Sequence, residues 1–338
     1  DALEADPAAD ILSVSQNDNP QYCHCPACQA VADEEGSQAG PLIRAVNAVA
    51  AAVAQRHPHV LVDTLAYMYS RKPCRTKPAD NVIVRLCSFE CEFDTTLDDP
   101  QREPNAGFAA ALEGWSRLTN RLYVWDYTTD FDIYLQTFPN FHVLQPNIQY
   151  LLRHHVTGIF EQGNREPDGE FGALRAYLLA KLLWNPEEDV QALTDGFLEH
   201  YYGKGWRHLK AYITGFEELI RELGTGATIY AKTEKLVPFK DRRTRAFLER
   251  ARAWWDEAEA EAAGEQKERV RRSRLQFTYL SQCAAYDEQK DTASWKQENG
   301  RLRADLIRCG IRMREHIKGT LEEVDTDISP LEWVDPTR

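Results

Sequence analysis

Four carboxylates stand at the ends of short, apolar, β-prone runs, where cleavage of a glycosidic bond is chemistry they could do. Asp18 lies within Asn17-Asp18-Asn19 after the run 11–15, and Glu90 sits between Phe89 and Cys91 after the run 82–87. Asp126 lies between Trp125 and Tyr127, and Glu161 follows the run 157–160 and precedes Gln162-Gly163-Asn164. Glycoside hydrolysis needs one carboxyl group to protonate the leaving oxygen and another to attack or to activate water. Position at a strand end between two amides makes Asp18 the expected general acid, with Glu161 or Asp126 as base or nucleophile. The amides of Asn17, Asn19, Gln162 and Asn164 suit sugar hydroxyls, while Trp125 and Tyr127 offer ring faces to a pyranose. Tyr67, Arg71 and Glu90 complete the expected substrate-binding set, with Arg71 placed to meet a uronate carboxylate. Each residue also has a plainer reading: an Asx-turn for Asp18, a helix cap for Asp126, a solvent-reaching side chain for Glu161 and a surface position for Arg71.

Such residues need strands to position them. Strand-like runs at 11–15, 60–67, 82–87, 122–125 and 157–160 alternate with helix-like stretches at 41–56, 105–119 and 146–154. That alternation implies βα units and a parallel sheet. Polar clusters after successive parallel strands are the habit of a (β/α)8 TIM barrel, and open α/β sheets share it. No GxGxxG or Walker loop follows a strand, which argues against a nucleotide-binding sheet. Five strands are short of eight. If they are strands four to eight, residues 1–170 are the C-terminal part of a barrel, and its open edges need the N-terminal remainder of the polypeptide, or another chain, to close them. The chain opens on Asp1 with no signal-peptide pattern, which agrees with that expectation. From 171 onward the pattern is amphipathic helix, giving an expected all-α domain over 171–325 and a tail over 326–338.

Composition narrows the function. The 338 residues carry 40 basic and 53 acidic side chains, a net charge of −13, which disfavours a nucleic-acid partner because phosphate needs a concentrated basic face. No apolar run is long enough to span a membrane. There is no GxSxG and no HExxH, so serine-hydrolase and zincin chemistry lack support. His154 and His155 are adjacent, and neighbours on a helix point apart. Of the eight cysteines, Cys23, Cys25 and Cys28 are clustered. An even count fits disulfides or free thiols, and the cluster also fits a structural zinc with His24 or a distant Cys as fourth ligand. No other cofactor is expected.

Several stretches together resemble the DUF4838 family: Val14-Ser-Gln-Asn-Asp-Asn19, Cys23-x-Cys25-x-x-Cys28, Asp63-Thr-Leu-Ala-Tyr67, Asn81-Val-Ile-Val-Arg-Leu-Cys87, Val124-Trp-Asp-Tyr127, Phe160-Glu-Gln-Gly163 and Ala180-Lys-Leu-Leu-Trp-Asn-Pro186. The resemblance spans roughly residues 10 to 205. It implies a bacterial, secreted or periplasmic protein of polysaccharide degradation, with a glycoside-hydrolase-like barrel behind an N-terminal domain similar to that of α-glucuronidases. Trp184-Asn185-Pro186, with Tyr201-Tyr202-Gly203, is similar to the helical segment behind the barrel in α-glucuronidases and α-N-acetylglucosaminidases. The implied activity is glycosidic hydrolysis in a complex polysaccharide. The alternative is a carbohydrate-binding barrel without catalysis, since a fold alone does not confer activity.

Overall fold

Near-continuous apolar runs such as Val82–Cys87 are characteristic of strands in a parallel sheet. The computed structural model, which describes residues 2–164, 170–311 and 329–331, has such a sheet. After a short helix α1 (Ala2–Ala5) come β1 (Ile11–Ser13), α2 (Pro26–Glu35), α3 (Ala39–Arg56), β2 (Leu61–Ala66), β3 (Val82–Cys87), α4 (Glu103–Ser116), β4 (Leu122–Tyr127), α5 (Leu144–Arg153) and β5 (Val156–Gln162). The strands lie in the order β1-β2-β3-β4-β5 as a parallel half-barrel. Among the described residues it is not closed into a complete barrel.

The register separates two faces. Val62 pairs with Val82, Val84 with Leu122 and Leu86 with Val124, and all six are completely buried. This is the outer face, which α3 covers through Ile43, Val46 and Ala50. The inner face carries Asp63 and Ile83, then Leu65 and Arg85, then Cys87 and Trp125. It is more open, with Leu65, Arg85, Tyr123 and Trp125 only half-buried. Gly158 lies under the Tyr123 ring, where a Cβ would stand 2.7 Å from ring carbons.

The chain divides into two compact units. The first comprises Asp1–Cys91, Leu97–Tyr127 and Asn147–Glu161, and the second Glu92–Thr96, Thr128–Pro146 and Gln162–Arg338. The second unit is helical: α6 (Gly172–Trp184), α7 (Val190–Tyr202), α8 (Trp206–Leu223), α9 (Thr233–Leu236), α10 (Arg242–Glu261), α11 (Gly264–Gln289) and α12 (Ala293–Cys309). Tyr212 of α8 meets Phe247 and Trp255 of α10 at 5.7 and 5.2 Å between ring centroids. Tyr279 of α11 packs with Leu302 and Leu306 of α12. Among the described residues, no helix is long and apolar enough to cross a membrane. The expected tail over 326–338 lies outside the described residues apart from 329–331.

The helix expected from 295 to 321 is described only to Cys309 as α12, with 312–321 outside the described residues. Helix α2 was not expected. The cysteine cluster masked its start, although Pro26 at the first helical position is a start signal. Both β4 and β5 run further than expected, so Asp126 and Glu161 belong to the strands themselves rather than to the loops after them.

Candidate functional site

Strand membership decides the environment of the two carboxylates. Successive side chains alternate faces, so Asp126 points to the opposite side from Trp125 and Tyr127. It joins Leu122 and Val124 on the outer face and is 5% exposed. The Ser88 hydroxyl, just beyond β3, donates to its Oδ1. Burial pushes the Asp126 carboxyl up to about 6, with Ser88 and the Tyr127 backbone opposing that rise. On β5, Phe160 meets Trp125 edge-on at 4.8 Å, which sets Phe160 on the inner face and Glu161 on the outer face with Asp126. Glu161 has a buried Oε2 with no hydrogen-bond partner. Burial, and then the nearby Asp126 charge, hold its carboxyl well above the usual range. Two carboxyl groups on neighbouring strands thus share one buried region, one with a hydroxyl donor and one without.

The other expected residues sort into three groups. Tyr67, Phe89 and Tyr127 form an edge-to-face row, with centroids 5.4 and 6.0 Å apart, across the carboxyl ends of β2, β3 and β4. Cys87 is hydrogen-bonded to Tyr127, and burial followed by the Glu90 charge pushes its thiol up to about 12. Asp18 also raises the Cys87 thiol, which puts it electrostatically within reach of this row, yet Asp18 itself is exposed. Arg71 and Glu90 come together at 3.0 Å, so each is already the other's partner.

Asn17 and Asn19 serve the turn. Asn19 N–H donates to the Asn17 carbonyl at 2.8 Å, and the Asn19 side-chain oxygen accepts from Gln21 N–H at 3.0 Å. The Gln162 carbonyl accepts from Thr128 N–H at 2.9 Å, and the Asn164 side-chain nitrogen is buried without a hydrogen-bond partner.

Sequence reasoning missed three residues. Gln16 ties the Asp18 loop to the turn after β2, donating to the Tyr67 carbonyl at 3.1 Å and accepting from Ser70 Oγ. On the inner face Asp63 and Arg85 pair at 2.8 Å, a contact foreshadowed only by two charges inside otherwise apolar strands.

Cys23, Cys25 and Cys28 are free thiols. The Sγ atoms of Cys23, Cys25 and Cys28 lie within 4.8 Å of one another and could bind a metal. Hydrogen bonds, first from the Cys28 backbone, lower the Cys25 thiol to about 7, whereas Cys28 is pushed up to about 11 by donating to its neighbours. No fourth His, Cys, Asp or Glu joins them among the described residues.

These features define an α/β half-barrel protein with polar and titratable groups gathered at the carboxyl ends of its strands. The chain belongs to the DUF4838 family, a domain of unknown function whose model matches residues 1–214, from α1 through the first half of α8. Neither a curated protein nor a solved structure matches the chain.

Proposed function

We propose that this half-barrel, completed by further strands of the same polypeptide or of another chain, is a glycoside hydrolase acting on a complex polysaccharide. The observation that carries the reading is the buried pair Asp126 and Glu161 at the ends of adjacent strands. Glu161 has a buried Oε2 with no hydrogen-bond partner and a carboxyl raised by burial, which favours the protonated form and suits the general acid. Asp126 accepts from Ser88, which favours the ionised form and suits a base or nucleophile. Asp18, exposed beside the aromatic row, binds a sugar hydroxyl in this scheme, with Tyr67, Trp125 and Tyr127 as stacking surface. An extracellular or periplasmic location belongs to the same proposal.

The non-catalytic carbohydrate-binding reading is favoured by one observation: the strand pleat turns Asp126 and Glu161 away from the aromatic side chains. A panel of polysaccharides separates the two. Hydrolysis predicts release of reducing ends, with Glu161→Gln and Asp126→Asn each cutting it by about 10²–10⁴. Retention of a polysaccharide without release would establish the binder. Full activity in both variants would remove the pair from the chemistry.

A further inference from the structure

We propose that Cys23, Cys25 and Cys28 bind one thiophilic divalent ion, of which zinc is the type, leaving its fourth coordination position open to solvent. This goes beyond the carbohydrate reading and does not depend on it.

The local chain is built for three sulfurs. Cys25 is the N-cap of α2, in an extended conformation at φ −65° and ψ 152°. Pro26 then fixes the first helical residue. Cys28 sits three residues on, and its N–H donates to Cys25 Sγ at 3.5 Å. A backbone N–H on a ligand sulfur orients that sulfur and spreads its charge, the part that outer hydrogen bonds play in metal sites. Cys23 turns back to bring its Sγ to the other two.

The distances suit a metal that takes all three sulfurs. Four tetrahedral bonds of about 2.3 Å to sulfur put the sulfurs about 3.8 Å apart. The present separations reach at most 4.8 Å, so side-chain rotation of about 1 Å closes the set. A disulfide needs about 2.05 Å and leaves the third thiol over. Three thiolates on a divalent ion carry one net negative charge, and the N-terminus of a ten-residue helix favours an anion there. Each ligating thiol gives up its proton to solvent on binding.

The fourth place is open for two reasons. Cys23 and Cys25 are exposed, and no other ligating side chain joins the group among the described residues. The His24 ring lies against Tyr22 at 4.4 Å between centroids. A closed structural site would have its fourth ligand in hand.

The test uses the reduced, chelator-stripped chain titrated with Co2+ and with Zn2+. One ion per chain is expected, with thiolate-to-cobalt charge-transfer bands and tetrahedral ligand-field bands. Zn2+ should protect Cys23, Cys25 and Cys28 from alkylation, read by mass spectrometry, while Cys309 stays as reactive as before. Added imidazole or a small thiol should shift the cobalt ligand-field bands, because it enters the open position. Cys25→Ser should abolish the charge-transfer bands at equal metal, and Cys309→Ser should leave them unchanged. Alkylation unaffected by Zn2+, or a disulfide within the cluster of the protein as purified, would overturn the metal site. Cobalt bands indifferent to every added ligand would overturn the open position.

Discussion

Replacing Asp126 with Asn should make the protein more stable near neutral pH and leave it nearly unchanged in acid. Asn keeps the size of Asp and an oxygen that accepts from the Ser88 hydroxyl, so what is removed is the ionisation. Asp126 is held at about 6 in the fold against an ordinary 3.8, chiefly by burial. The sign follows from proton counting. Between those values the folded chain holds a proton that the unfolded chain has released, so stability falls as pH rises through the window. At about 1.36 kcal/mol per pH unit, the full fall is about 3 kcal/mol and is complete once the folded carboxyl ionises. Asp126→Asn escapes it. Removing the Asp126 charge also relieves Glu161, whose own carboxyl is raised in part by that charge, so the second effect has the same sign. The assay is urea unfolding of wild type and variant at about pH 4 and about pH 7.5, with equal slopes required before midpoints are compared. The gap between the proteins should be near zero at the lower pH and approach about 3 kcal/mol at the higher. An equal gap at both values, or a variant weaker at both, would refute the claim that burial of this carboxylate sets its state.

Glu35 is 3% exposed and accepts from Thr76 N–H at 2.7 Å, Thr76 Oγ1 at 2.6 Å and Arg44 Nε at 2.7 Å, contacts that lower its carboxyl to about 2. Its contribution is present above pH 4.5 and lost as pH falls toward 2, so Glu35→Gln should unfold more readily at neutral pH and converge on wild type in strong acid, read by urea midpoints. In the helical unit, Arg175 and Glu170 are almost fully buried and pair at 2.5 Å, with Arg175 also donating to Asn140 Oδ1 at 3.0 Å. Arg175→Met leaves a buried carboxylate uncompensated and should cost about 3–5 kcal/mol in urea unfolding, much of it recovered by adding Glu170→Gln.

The strands were legible because each is a short apolar run bounded by polar or turn-forming residues, and the long helices because their apolar positions recur at helical spacing. The carboxylate setting was less so. Trp125-Asp126-Tyr127 reads as one sugar-binding surface in sequence, but extending β4 by two residues turns its middle member to the other face. Asp18 and Glu161 look alike as strand-end acids. One is exposed in a turn and the other has a buried oxygen, a difference made by packing from residues far away in sequence. Glu35 carried no signal, because its partners Arg44 and Thr76 are 9 and 41 residues away and nothing in the spacing joins them.

The Asp63–Arg85 pair gives the inner face of the sheet a polar checkpoint. Arg85 spends one guanidinium nitrogen on Asp63 at 2.8 Å, its guanidinium carbon lies 5.8 Å from the Tyr123 ring centre, and its Nε is buried without a hydrogen-bond partner. Any strand laid over this face takes water away from that charge. A purely apolar cover would strand any guanidinium donor still facing water at a cost of about 1–3 kcal/mol, while one bringing a carbonyl, amide or carboxylate to the same height would not. A cover for this half-barrel would therefore be selected by chemistry as well as by shape. Arg85→Met should make it more tolerant of the wrong one.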